Sequence, residues 1–269
     1  MREDKNRAAA LLCVSFGTSV DSARESIAAV EAALAAAAPE RLFARAYTSG
    51  IIRRVLAGRG ETVPGVAEAL EALAAGGVRR VLVQPTHLLA GNEYEKIRRE
   101  MAPLRGRFAA LELGEPLLAA PSDGEALAAA LDGAYPPVEG ETLVLFGHGT
   151  DHAANGAYPA LQAVFCRRGR GDVLVGTVEG RPAFSEVRAR LAAQGGRRVH
   201  LVPLMLVAGD HAANDMAGPG PESWRTRLEA EGWTVRATVR GLGMLPAVQA
   251  LYVDHLRRAL GGREGGHGL

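Results

Sequence analysis

Along this chain, short continuous apolar runs alternate with longer stretches in which apolar residues recur every three to four positions. The short runs predict strands at 10–16 (ALLCVSF), 42–47 (LFARAY), 79–84 (RRVLVQ), 109–113, 142–146 (TLVLF), 172–176 (DVLVG), 198–203 (RVHLVP) and 233–239. The longer ones predict helices near 20–38, 64–75, 93–104, 123–133, 157–167, 182–194, 222–231 and 246–260. Two helix starts carry capping-box spacing, Ser22 with Glu25 and Ser122 with Glu125. Strands without polar alternation are those covered by helices on both faces. Strand–helix alternation of this kind implies an α/β fold of parallel sheets with right-handed crossovers.

The series also repeats. VSFGTS at 14–19 echoes LFGHGT at 145–150, and YTSG at 47–50 echoes TVEG at 177–180. QPTHLLAGNEYEKI at 84–97 echoes VPLMLVAGDHAANDM at 202–216, aligning Pro85 with Pro203 and Glu93 with His211. Three matches in the same order predict two similar Rossmann-like domains, 1–137 and 138–269, with a boundary near PPVEGE at 136–141. The apolar stripe Val248, Leu251, Tyr252, Leu256 on the last helix leaves two options open, packing across domains or pairing of subunits in a homo-oligomer.

Composition narrows the classes. The 269 residues are 48% hydrophobic with a formal charge of +1, so no cationic excess exists to neutralise nucleic-acid phosphates. No apolar run approaches the roughly 20 residues that span a bilayer. The N-terminal MREDKNRAAALLCVSFG runs into a strand without a signal-peptide cleavage pattern, so the expected location is cytoplasmic. The two cysteines, Cys13 and Cys166, make neither a disulfide framework nor a CxxC pair. Phosphate-loop, GxGxxG, HExxH and GxSxG patterns are missing, and GLGMLP at 241–246 reads as a turn.

Open parallel sheets bind ligands beyond the carboxyl ends of their strands. In the second half those ends carry His148, Glu179 and His211 in succession. Two imidazoles and a carboxylate form a common ligand set for a divalent first-row metal and leave positions open. Taken singly, each has a structural explanation: a loop histidine that caps, or a glutamate at a helix start. His152 lies four residues after His148 but in a loop-like stretch. Asp215 and Asp210 are candidates to orient His211, and Asp210 is also read as a helix cap. His87 and Glu93 stand at a first-half strand end, whereas His200 and His255 read as structural. His267 falls in a Gly-rich tail expected to be disordered.

FGHGTDHAANGAY (146–158), VEGRP (178–182) and PLMLVAGDHAANDMAGPGPESW (203–224) resemble the signature segments of the anaerobic-type cobaltochelatases, relatives of the ferrochelatases. VSFGTS and QPTHLLAGNEYEKI resemble the same family, so the likeness runs from about 10 to 260. It implies two chelatase-type α/β domains with a cleft between them. It also implies insertion of Co²⁺ into sirohydrochlorin, or a precorrin-2-type tetrapyrrole, in cobalamin biosynthesis. His148, Glu179 and His211 would be metal ligands, with His148, His211 and Glu93 handling protons. The metal would be a substrate, and no prosthetic group is expected. Arg53, Arg54 and Arg181, near the loop ends, are candidate partners for the tetrapyrrole's carboxylates. Where the family usually continues with an acidic residue, this chain has Gly218-Pro219-Gly220-Pro221. Iron or nickel chelation, a tetrapyrrole or metal carrier without turnover, and a zinc hydrolase stay open as alternatives.

Overall fold

The computed structural model describes residues 9–261, so the N-terminal segment and the His267 tail lie outside the described residues. The chain forms two compact units, residues 9–119 with 249–261, and residues 120–248. In the first unit, strands β1 (Ala9–Ser15), β2 (Leu42–Tyr47), β3 (Arg80–Pro85) and β4 (Ala110–Leu113) form a parallel sheet in the order β2-β1-β3-β4. In the second, β5 (Glu141–Gly147), β6 (Val173–Thr177), β7 (Arg198–Pro203) and β8 (Thr234–Ala237) repeat it as β6-β5-β7-β8. Helices α1 (Arg24–Ala37), α2 (Gly50–Gly58), α3 (Val66–Ala75) and α4 (Asn92–Met101) connect the first sheet. Helices α5 (Pro121–Ala134), α6 (Ala157–Arg167), α7 (Phe184–Gln194), α8 (Trp224–Ala230) and α9 (Pro246–Gly261) follow.

The central strands β1 and β5 are buried along nearly their whole length, as continuous apolar runs require. Leu12, Val14, Val81 and Val83 pack on Leu70 and Ile97 in the first unit. In the second, Val144, Phe146 and Leu201 pack on Val187, Trp224 and Leu228. Trp224 meets Phe146 and Phe184 edge-on, at centroid distances of 4.9 and 5.2 Å. Such pairs contribute about 0.5–1.5 kcal/mol each beyond their buried area. They fix the end of β5 just before His148.

Two registers make the repeat exact in position. Ser15 pairs with Tyr47 as Gly147 pairs with Thr177, and Val14 pairs with Pro85 as Phe146 pairs with Pro203. The ladder then runs on past each strand end. Ser49 N–H donates to Phe16 O at 3.2 Å, and Glu179 N–H donates to His148 O at 2.8 Å. Phe16, Ser49 and Glu93 therefore occupy the first-unit positions that correspond to His148, Glu179 and His211.

Several local expectations change. The division falls at 119/120 rather than 137/138, because α5 is tied to the elements after it. Arg167 reaches Glu125 at 2.8 Å, Arg168 reaches Asp132 at 2.8 Å, and Arg170 bridges Asp132 to Asp172. The last helix changes unit at 248/249, and Tyr252 donates to Thr86 O at 2.7 Å in the first unit. Helix α2 was not anticipated; Ser49 caps it by accepting from Ile52 N–H at 3.3 Å. Neither predicted serine cap forms: α5 starts with Pro121, and Asp123 accepts from Ala120 N–H at 2.8 Å. Asp21–Ala23 is a 3₁₀ turn that leads into α1.

Candidate metal centre

His148, Glu179 and His211 each offer one ligand atom, and these atoms lie within 4.8 Å of one another. All three belong to the second unit and stand just past β5, past β6 and beyond β7. Glycines make the approach possible. Gly149 adopts φ +85°, and a Cβ there would lie 2.4 Å from Gly180 N. The loop after β5 and the loop after β6 therefore touch backbone to backbone.

Each imidazole is oriented through Nδ1. His148 Nδ1 donates to Gly149 O at 3.0 Å, and Glu179 Oε2 lies 3.6 Å from the same nitrogen. His211 Nδ1 donates to Asp215 Oδ2 at 2.6 Å. Because the partner is an acceptor in both cases, Nδ1 carries the proton and Nε2 keeps its lone pair for a metal. The two rings stand edge-on with centroids 4.6 Å apart. Their side chains remain accessible, 45% and 35% exposed for His148 and His211, and 57% for Glu179. A borderline divalent ion fits this donor set, and three ligands leave sites open for a second reactant.

His211 stands at the head of a single π-helical turn, Ala212–Met216, that places Asp215 against its Nδ1. Asp210 does not cap that turn; it accepts from Asn214 Nδ2 at 2.7 Å. Gly218 closes it, since a Cβ there would meet Asn214 O at 2.6 Å. His152 is a cap, with Nδ1 accepting from Ala154 N–H at 3.1 Å. His200 and His255 are buried, as a structural role requires, and GLGMLP contains the short 3₁₀ turn Leu242–Met244.

Glu93 lies in the first turn of α4, in the other unit. Its Oε2 and both ring nitrogens of His87 are buried without hydrogen-bond partners among the described residues. Burial lowers the His87 pKa to about 4, against the pull of the Glu93 carboxylate. Of the three candidate arginines, Arg53 is spent on Glu68 and on Val63 O. Among the described residues Arg54 bonds Gly50 O of its own helix, and Arg181 is exposed, 3.7 Å from Glu186. Sequence reasoning passed over Asn155 and Tyr158, whose side chains hold the His148 loop.

Two parallel four-stranded units with a His/Glu/His cluster beyond the strand ends define a chelatase-type protein. Among solved structures, SirB from Bacillus subtilis with Fe³⁺ shares the fold, with a TM-score of 0.66 and 18% identity over 96% of this chain and 98% of that one. The chain belongs to the cobalt chelatase (CbiK) family, whose pattern matches residues 9–261. It is 43% identical over 254 residues to the sirohydrochlorin cobaltochelatase of Salmonella typhimurium, covering 93% of this chain and 96% of that protein. It is 36% identical over 219 residues to sirohydrochlorin cobaltochelatase CbiKC of Nitratidesulfovibrio vulgaris, covering 80% and 77%.

Proposed function

We propose that this protein inserts Co²⁺ into sirohydrochlorin, a step of cobalamin biosynthesis, with His148, Glu179 and His211 presenting the metal. The observation that carries the reading is the convergence of those three side chains within 4.8 Å in a chain of this family. Metallation removes two pyrrole protons as the ion enters the macrocycle. Neutral imidazoles bind a divalent ion near neutral pH, and one carboxylate offsets part of its charge while its water is shed. Three accessible ligands also release the ion, which a closed four-ligand cage would resist. A histidine of the cluster, once the metal has left it, or Glu93 accepts the pyrrole protons.

Recognition of a flat polyanion needs apolar area and cations. In the first unit Phe16, Val20, Ile51 and Val55 are exposed large apolar side chains. The loop that holds Phe16 and Val20 runs along α2, tied by Ser49 N–H to Phe16 O and by Arg59 Nη1 to Ser19 O at 2.6 Å. Arg54 sits on the same helix for a carboxylate arm. No described helix is long and apolar enough to cross a membrane.

The test is the Co²⁺-dependent spectral change of sirohydrochlorin with wild type, His148→Ala and His211→Ala. Both variants should lose turnover by at least tenfold; full activity in both would sink the site assignment. Competition among Co²⁺, Fe²⁺ and Ni²⁺ in the same assay should favour Co²⁺. A preference for iron or nickel would transfer the protein to another chelation.

A further inference from the structure

Asn155 is the residue that ties together the two loops from which His148 and Glu179 project. Its Oδ1 accepts from Thr150 N–H at 3.1 Å, and its Nδ2 donates to Arg181 O at 2.8 Å. Thr150 is two residues past His148, and Arg181 is two past Glu179. One planar amide therefore spans both ligand-bearing loops, with its acceptor on one and its donor on the other. The ladder bond from Glu179 N–H to His148 O, 2.8 Å, joins the loops at the ligand residues themselves, and the amide of Asn155 extends that tie two residues further out. Gly149 and Gly180 face each other without side chains, and a Cβ on Gly180 would lie 2.4 Å from Asn155 Oδ1. The amide fills the space the glycines leave.

The anchor of Asn155 is itself well built. Its own N–H donates to His152 O at 2.9 Å, and His152 caps the short 3₁₀ turn Ala153–Gly156 that carries it. Three residues on, the buried Tyr158 hydroxyl accepts from Gly149 N–H at 3.2 Å, and its ring packs against Gly147. Tyr158 thus holds the His148 loop where it leaves β5, and Asn155 joins that loop to the Glu179 loop beyond the ligands.

We infer that Asn155 is a positioning residue for the metal reaction, acting by bracing the two loops that carry His148 and Glu179 just beyond their ladder bond. Both ends of its amide are spent on the loops, so it acts through the ligands they carry. Outer partners that orient metal ligands are typically worth about 10–100-fold in metal affinity, because the ligands must otherwise be ordered when the ion binds. The inference rests on the assignment of His148 and Glu179 as metal ligands.

The experiment uses the full chain with Asn155→Leu, nearly isosteric, and Asn155→Ala, each titrated with Co²⁺ alone and followed by the d–d absorption of the bound ion. Both variants should bind Co²⁺ about tenfold more weakly, with altered d–d bands. In turnover, KM for Co²⁺ should rise by a similar factor, while KM for sirohydrochlorin stays within about twofold. A purely structural loss would lower the folded fraction without changing the spectrum of the ion that does bind. Wild-type affinity and spectrum in a folded variant, or equal rises in both KM values, would overturn the inference. His148→Ala serves as the separate control: if it keeps wild-type Co²⁺ binding, the ligand assignment itself has failed, whatever Asn155 does.

Discussion

Replacing His200 with Gln tests how the second unit responds to acid. His200 lies on β7 with 4% of its surface exposed, its Nε2 2.9 Å from Thr238 Oγ1 and its ring edge-on to Tyr135. Burial is the main influence on the ring; the Arg236 guanidinium adds to it and the Glu141 carboxylate opposes it. The result is a pKa lowered from 6.5 to about 4. In the unfolded chain the imidazole protonates near its ordinary value, so between these limits only the unfolded state takes up the proton. Stability is full above pH 6.5 and falls as pH drops through the window. At about 1.36 kcal/mol per pH unit, a gap of roughly 2.5 units removes ~3 kcal/mol by pH 4. Gln reaches the Thr238 hydroxyl without titrating. Both tryptophans of the chain, Trp224 and Trp233, are buried in the second unit, so their fluorescence in urea reports that unit alone. Between pH 6 and pH 5 the wild type should lose about 1 kcal/mol more than His200→Gln. The variant's starting stability at pH 7 carries its own packing cost and does not enter the comparison. Parallel stability–pH lines for the two proteins, or an NMR titration of His200 near 6.5, would refute the reasoning.

Asp215→Ala removes the acceptor of His211 Nδ1–H and should weaken Co²⁺ binding about 10–100-fold by calorimetric titration; unchanged affinity would show the ring is held by other means. Tyr252→Phe strips the hydroxyl from Thr86 O and leaves a buried carbonyl unsatisfied. It should cost about 1–3 kcal/mol in urea unfolding followed by circular dichroism, since no tryptophan reports the first unit. A loss below half a kcal/mol would mean that water replaces the bond.

The strands were legible because burial on both faces leaves an unmixed apolar run, as in ALLCVSF and TLVLF. The repeat was legible because the Pro and Gly-Thr punctuation at strand ends survives in both halves. With strand ends located, the topology of parallel sheets sufficed to bring His148, Glu179 and His211 to one edge. Helix α2 was missed because its nine residues, IIRRVLAG after Gly50, are too short to show helical periodicity. The unit boundary was misplaced because turn chemistry at PPVEGE marks a bend. Arg–carboxylate pairs bind α5 to α6 and to the segment before β6, contacts that no turn signal in the sequence reveals. Asn155 carried no signal, since an Asn in a Gly/Ala-rich loop reads as turn chemistry until its two partners are known. Arg53 looked available only because its partner, Glu68, stands on another helix.

The return of α9 to the first unit has a consequence for synthesis. Residues 120–248 form a contiguous unit, whereas the sheet β2-β1-β3-β4 lacks Tyr252 and Leu256 until residues 249–261 have been made. Domains fold as units while the chain emerges at ~5–20 residues per second, so translating the intervening ~130 residues takes on the order of ten seconds. During that interval the nascent chain holds an unfinished sheet beside a unit that can already close on itself. The first sheet is the first to be made and the last to be completed.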